Sequence, residues 1–162
     1  MAATISEELR ACIGLEASYT APDEIGRAGI RLFALAMQDD NSLYQDEAFA
    51  SASRHGGIIA PPTLVCETNQ PYRRPADETG YFGHVWKLPL PAGDFMRGGN
   101  EYEFHQPVRP EDRVTVTWRL TDIQARETRS AGTLIFVVSE ARFTNQHGEL
   151  LAVNRETNMH RS

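Results

Sequence analysis

Between positions 39 and 57 a polar, turn-rich run gathers many of the side chains able to do chemistry: Asp39, Asp40, Asn41, Tyr44, Asp46 and His55, closed by Gly56-Gly57. Acid–base work needs two titratable groups within hydrogen-bond reach of one site, and this run is the first place to seek them. His55 is a candidate base, although a lone loop histidine is ordinarily just solvated. Asp39 reads first as a turn residue bonding local backbone and second as a water-orienting carboxylate. Gly56-Gly57 permits a tight turn. His84 and His105 are weaker candidates. Cys12 and Cys66 have no CxxC and no histidine at ligand spacing, so neither a disulfide framework nor a zinc site is indicated. Both read as buried small apolar residues. Trp86 and Trp118 read as core or interface anchors.

The elements that must position these residues divide into a helical front and a strand-rich back. Thr20-Ala21-Pro22-Asp23 looks like a helix start, with a capping residue, a first-turn proline and a first-turn acid. Ile25, Ala28, Leu32, Leu35 and Ala36 then recur at helical spacing and predict a core-facing stripe running to about Gln38. A short helix is expected from Asp46 to Ala52. Pro61-Pro62 can open another, carried by the apolar segment from Ile58 to Cys66. Residues 71–97 read as a long irregular connection, with Arg73, Arg74, Lys87 and Arg97 on a solvated face.

From Gly99 onward the period changes to two. Val114, Val116, Trp118 and Leu120 alternate with polar residues, as in a half-buried antiparallel strand. Glu127–Gly132 is a turn. Thr133–Phe143 is a second strand whose centre, Leu134 to Val138, is apolar enough to predict cover on both faces. Asn145-Gln146-His147-Gly148 is a hairpin turn. Glu149–His160 is a third strand, and Glu101–His105 is expected beside them. An antiparallel sheet with one apolar face needs cover, and the segment from Ile58 is the candidate. The expected fold class is α+β, one domain over residues 1–162 with a curved antiparallel sheet wrapped around a central helix.

The composition narrows the function classes. The formal net charge is −6 with no basic run, which argues against a nucleic-acid or anionic-membrane partner. No stretch approaches the ~18 apolar residues of a membrane span, and the first ten residues, with two Glu and no apolar run, do not read as a signal peptide. A cytoplasmic location is expected.

Three stretches together resemble one family. They are Asp39-Asp40-Asn41-Ser42-Leu43-Tyr44-Gln45-Asp46 with Gly56-Gly57-Ile58-Ile59-Ala60-Pro61-Pro62-Thr63; Gly98-Gly99-Asn100-Glu101-Tyr102-Glu103-Phe104 with Pro107-Val108-Arg109-Pro110-Glu111-Asp112; and Phe143 to Leu150. In this order and spacing the chain is similar to the MaoC-like, or hydratase 2, superfamily, and to its FAS1-like dehydratase N-terminal branch, over residues 5 to 160. The resemblance implies a hot-dog fold with an overhanging segment at 39–57. It implies reversible addition of water to an enoyl thioester of CoA or acyl carrier protein, with no cofactor and no metal. Arg73, Arg74, Lys87 and Arg97 then gain a second reading, as contacts to CoA phosphates.

Active members of that family carry Asp-x-Asn-Pro-x-His-x-Asp, whose Asp and His activate one water, and an Ile-Ala-His-Gly motif whose Gly N–H stabilises the thioester oxygen. Carried over residue by residue, the Asp is Asp39, the Asn is Asn41, the Pro is Ser42, the His is Tyr44 and the last Asp is Asp46. Ile59-Ala60 match; the next two positions are Pro61 and Pro62. Tyrosine, with a reference pKa near 10, is a poor base, and proline has no N–H. One lost oxyanion donor costs about 3 kcal/mol of transition-state stabilisation, and a lost acid–base group a further factor of roughly 10²–10⁴. The implied candidates are Asp39, Tyr44 and Asn41 as catalytic residues and Gly56, Gly57, Ile59 and Pro62 as substrate-binding ones. The leading expectation is the degenerate subunit of a heteromeric dehydratase, completed by a MaoC-like partner. The alternatives are a homodimeric lyase using Asp39 with Tyr44 or His55, and a non-catalytic acyl-thioester binding protein.

Overall fold

The computed structural model describes residues 4–67, 83–128 and 132–161. The front holds α1 (Glu7–Arg10), β1 (Glu16–Thr20), α2 (Arg27–Ala36), a 3-10 turn (Ser42–Tyr44), α3 (Glu47–Ala52) and α4 (Leu64–Glu67). The back holds β2 (Asp94–Phe104), β3 (Thr115–Thr128), β4 (Gly132–Thr144) and β5 (Leu150–Arg161). They form one sheet in the order β1-β3-β4-β5-β2, antiparallel at every step.

The alternation in β3 works as the sequence requires. Val116, Trp118 and Leu120 are buried and face the core, opposite Phe143, Ala141 and Ser139 of β4. A register shift after Leu120 then brings Ile123, rather than Asp122, onto the buried row, which is how a bulge re-aims a strand. The turn before β5 has Gly148 at φ +78°, a conformation glycine adopts without steric cost. Behind that turn lies a buried polar knot. Asn145 donates through Nδ2 to Asp112 at 3.2 Å and to Glu149 at 2.8 Å, and the Arg109 backbone N–H donates to Asp112 at 2.8 Å.

The core forms where the segment from Ile58 meets this sheet. Ile58, Ile59, Ala60, Leu64, Val65 and Cys66 are all buried and share one cluster with Val116, Trp118 and Phe143. Full burial of Phe143 alone is worth roughly 3 kcal/mol. α4 starts two residues after Pro61-Pro62, as those prolines allow, and residues 68–82, including the rest of the expected connection from 71, lie outside the described residues. A second cluster gathers Leu9, Leu120, Ile123, Ile135 and Val137, with Cys12 only partly buried at its margin.

Several expectations need correction. The front contributes a strand, β1, whose five residues pair with β3 from Glu16↔Arg119 to Thr20↔Thr115. Thr20 is therefore no helix cap. Ala21, Ile25 and Gly26 donate backbone bonds to Val114, Asp112 and Pro110, which holds the non-helical segment 21–26 against residues 110–114, and Gly26 at φ +72° turns the chain into α2. The buried residues of α2 are Ile30 and Ala34, while Ala28 and Ala36 are exposed and Leu32 and Leu35 are 60% and 72% exposed. The helix is apolar on both sides, so spacing alone did not say which side faces the core. In β4 only one face is fully buried; the other is half-covered, with the Arg126 guanidinium 5.0 Å from the centre of the Phe136 ring. Finally, the connection to 97 ends early. Its last residues, Asp94 to Arg97, open β2, which pairs along β5 and is exposed throughout.

Candidate functional site

The run at 39–57 begins where α2 ends. Gln38 takes φ +56°, its N–H donates to Leu35 O at 3.1 Å, and the Asp39 N–H donates to Ala34 O at 2.9 Å. This is a Schellman closure with glutamine in the position glycine favours. It ends the helix and leads into an exposed turn through Asp39, Asp40 and Asn41. Asp39 Oδ1 accepts from Asn41 N at 3.2 Å and Asn41 Oδ1 accepts from Leu43 N at 3.0 Å. Two successive Asx turns thus wind the 3-10 turn and send Tyr44 inward, where it is 8% exposed. Asp46 caps α3 by accepting from Phe49 N at 3.0 Å. The local-backbone reading of Asp39 therefore describes its hydrogen bond, and its side chain is exposed.

The second half of the run is held from outside. Arg109 donates through its guanidinium to His55 O at 2.6 Å, and its Nη1 lies 3.6 Å from where a Cβ on Gly57 would stand. Gly56 has φ +67° and supplies the turn. The His55 ring, half-buried, accepts from Arg54 Nε at 3.2 Å. Ile59 N–H then bonds Leu43 O at 3.2 Å and Ala60 N–H bonds Val108 O at 2.8 Å. These bonds bring Ile58 beside Tyr44.

Tyr44 faces a cleft of about 360 Å³ lined by Arg27, Ala28, Arg31, Tyr44, Gln45 and Ile58, at the small end of ligand-binding clefts. Asp39, Asn41, His55, Gly56, Gly57, Ile59 and Pro62 do not line it. The Tyr44 hydroxyl has its pKa raised, mainly by burial and then by the negative charge of Asp39; Asn41 pulls it weakly down. A phenol held protonated donates hydrogen bonds and does not take protons. At the other motif, Pro61 is buried, Pro62 is exposed, and Pro61 O accepts from Leu64 N at 3.0 Å. The first N–H after both prolines belongs to Thr63. Among the described residues no cluster of three His, Cys, Asp or Glu side chains is placed to hold a metal ion, and no helix is long and apolar enough to cross a membrane.

The family described as FAS1-like, dehydratase domain region, matches residues 11–154 of this sequence. The chain belongs to that family. A UPF0336 protein of Parafrankia sp. is 32% identical over 83% of both chains. A probable enoyl-CoA hydratase alpha subunit of Thermomonospora curvata is 26% identical over 82% of this chain and 44% of its own length. The ChsH1–ChsH2 complex of Mycobacterium tuberculosis contains a chain that superposes with a TM-score of 0.70 at 21% identity, over 89% of this chain and 87% of that one. The curved five-stranded sheet is the hot-dog fold of MaoC-like dehydratases.

Within this FAS1-like dehydratase domain the other candidates have structural surroundings. His84 hydrogen-bonds Tyr19 through Nδ1 at 2.9 Å, stands edge-on to Trp86 and stacks on Trp118. Trp86 donates to Ser139 Oγ at 2.9 Å, and Trp118 is buried, so both tryptophans are packing anchors. Arg97 is ion-paired with Glu156 at 3.5 Å, Lys87 and His105 are exposed, and Arg73 and Arg74 lie outside the described residues. Sequence reasoning missed Arg27, Arg31 and Arg109. The first two stand four residues apart, which places them on one helix face, but charged residues at that spacing usually mark a solvated surface. Arg109 sat inside a quoted motif without a role.

Proposed function

We propose that this FAS1-like dehydratase domain is the catalytically degenerate subunit of a heteromeric enoyl-thioester hydratase/3-hydroxyacyl dehydratase, working in the cytoplasm on an acyl-CoA or acyl-carrier-protein substrate. The observation that carries the reading is Tyr44. It occupies the position of the family's catalytic histidine, yet it is buried and held protonated. Pro62, at the position of the donor glycine, has no N–H to offer. Asp39 and Asn41 then serve to wind the turn that presents Tyr44. Gly56, Gly57, Ile59 and Pro62 border the acyl tunnel that a second hot-dog subunit completes.

The surface supports a subunit role. Leu32, Leu35 and Met37 are exposed at α2 and the turn after it, and Phe95, Tyr102 and Phe104 are exposed along β2 at the sheet edge. Apolar surface of this kind marks interaction sites. That a relative is named an alpha subunit agrees with the same view.

The test is hydration of crotonyl-CoA and of a longer enoyl-CoA, with the purified chain alone and with a co-expressed MaoC-like subunit. Turnover only in the pair is expected. Turnover by the chain alone would overturn the reading in favour of a homodimer using Asp39 with Tyr44 or His55. Thioester binding without turnover in any pairing would leave a non-catalytic binding protein.

A further inference from the structure

Four of the six residues lining the cleft beside Tyr44 carry side-chain hydrogen-bond donors. Arg27 and Arg31 stand one turn apart on α2, Tyr44 and Gln45 face them, and only Ala28 and Ile58 are apolar. The charges do not cancel. Arg27 is ion-paired with Glu47 and also feels Glu111. Arg31, which is exposed, has no carboxylate within ion-pair distance among the described residues. Asp39 acts on the Tyr44 hydroxyl electrostatically but does not line the cleft. Among the described residues Arg31 therefore adds a positive charge without an ion-pair partner beside a phenol held as a donor, in a chain whose acids outnumber its Lys and Arg residues 22 to 16.

We infer that this cleft is an oxyanion-binding subsite, in which the Arg31 guanidinium and the Tyr44 hydroxyl hold a carboxylate or phosphate group of the ligand while the Glu47-anchored Arg27 forms its rim. A guanidinium presents a planar fork of donors that matches either group. Where a histidine would move protons, this chain recognises charge. The inference rests on the thioester reading only for the identity of the ligand, and two sources supply the same chemistry. One is the phosphate of a pantetheine carrier; the other is a carboxylate on the acyl group.

The test is calorimetric titration of the full chain at low salt with coenzyme A, inorganic pyrophosphate and succinate, repeated with Arg31→Gln and Tyr44→Phe. At least one probe is expected to bind, more weakly as salt rises. Arg31→Gln should weaken that binding by roughly tenfold or more, the loss of one charge-assisted hydrogen bond, and Tyr44→Phe by less. Binding of coenzyme A and pyrophosphate without succinate assigns the carrier phosphate. Binding of succinate alone assigns an acyl carboxylate. No binding of any probe, or equal binding by Arg31→Gln, would overturn the subsite. Turnover by the paired subunits alongside anion binding that ignores Arg31 sinks the subsite and spares the dehydratase reading. Arg31-dependent binding without turnover in any pairing does the reverse.

Discussion

Arg109 reaches across 54 positions of sequence to donate its guanidinium proton to the His55 carbonyl at 2.6 Å. That bond fixes the turn through Gly56 against the loop that also carries the Val108–Ala60 backbone bond. Arg109→Ala should cost about 1–3 kcal/mol of stability, since the His55 carbonyl loses a charged donor. Arg109→Lys should recover only part of it, because an ammonium lacks the planar fork. Urea denaturation midpoints of the three proteins check both statements.

Gln38 holds a left-handed conformation that costs an L-residue about 1–2 kcal/mol. Gln38→Gly should therefore raise stability by about 1 kcal/mol after its own unfolded-state entropy is counted. Thermal unfolding measures the gain. An unchanged or lower midpoint would mean that the glutamine side chain contributes more than the backbone strain removes.

The raised pKa of Tyr44 sets a pH dependence. The unfolded tyrosine ionises near 10.0 and the folded one higher, so above the lower value the unfolded state carries fewer protons than the native state. Stability must then fall as pH rises through that window, while below it Tyr44 contributes no slope. Unfolding followed from pH 8 to pH 11 should show a steeper alkaline loss in the parent than in Tyr44→Phe. Equal slopes would contradict the burial of the hydroxyl.

In the reading proposed above, Tyr44 and Pro62 stand where the family's motifs carry a base and a backbone donor, and these act at different steps. Tyr44→His alone should leave the isolated chain without measurable hydration of crotonyl-CoA, because position 62 still lacks an N–H. Pro62→Gly alone should do no better. The double variant should exceed both singles by on the order of 10²-fold or more if base and donor are the missing parts. The loss of enoyl-thioester absorbance reads the rate directly.

Much of the sheet was legible in the sequence because period-two alternation reports one-sided burial directly, as at Val116, Trp118 and Leu120. The helix at Glu47–Ala52 was legible because Asp46 is a strong cap. β1 was not, since its alternation from Glu16 to Thr20 spans only five residues, none of them fully buried, and they gain their place by pairing with β3. The facing of α2 failed for a related reason: Leu32 and Leu35 match the helical period as well as Ile30 and Ala34 do, and tertiary contact chose between them. At the site, Tyr44 at the family's histidine position and Pro62 at its donor-glycine position could be read directly from the sequence. The place of Arg31 beside Tyr44 could not, because it depends on a cleft lined also by Ile58, a residue far along the chain.

The uncovered length of β2 bears on how such a chain is produced. An edge of eleven residues, carrying Phe95, Met96 and the stacked Tyr102–Phe104 pair, is a template onto which any passing extended segment can add. Asp94, Arg97, Glu101 and Glu103 along the same strand act as repellent punctuation. They slow that accretion without abolishing it. An edge left open in this way exposes the chain to aggregation and to quality-control proteases, so its dosage becomes part of what keeps the protein native.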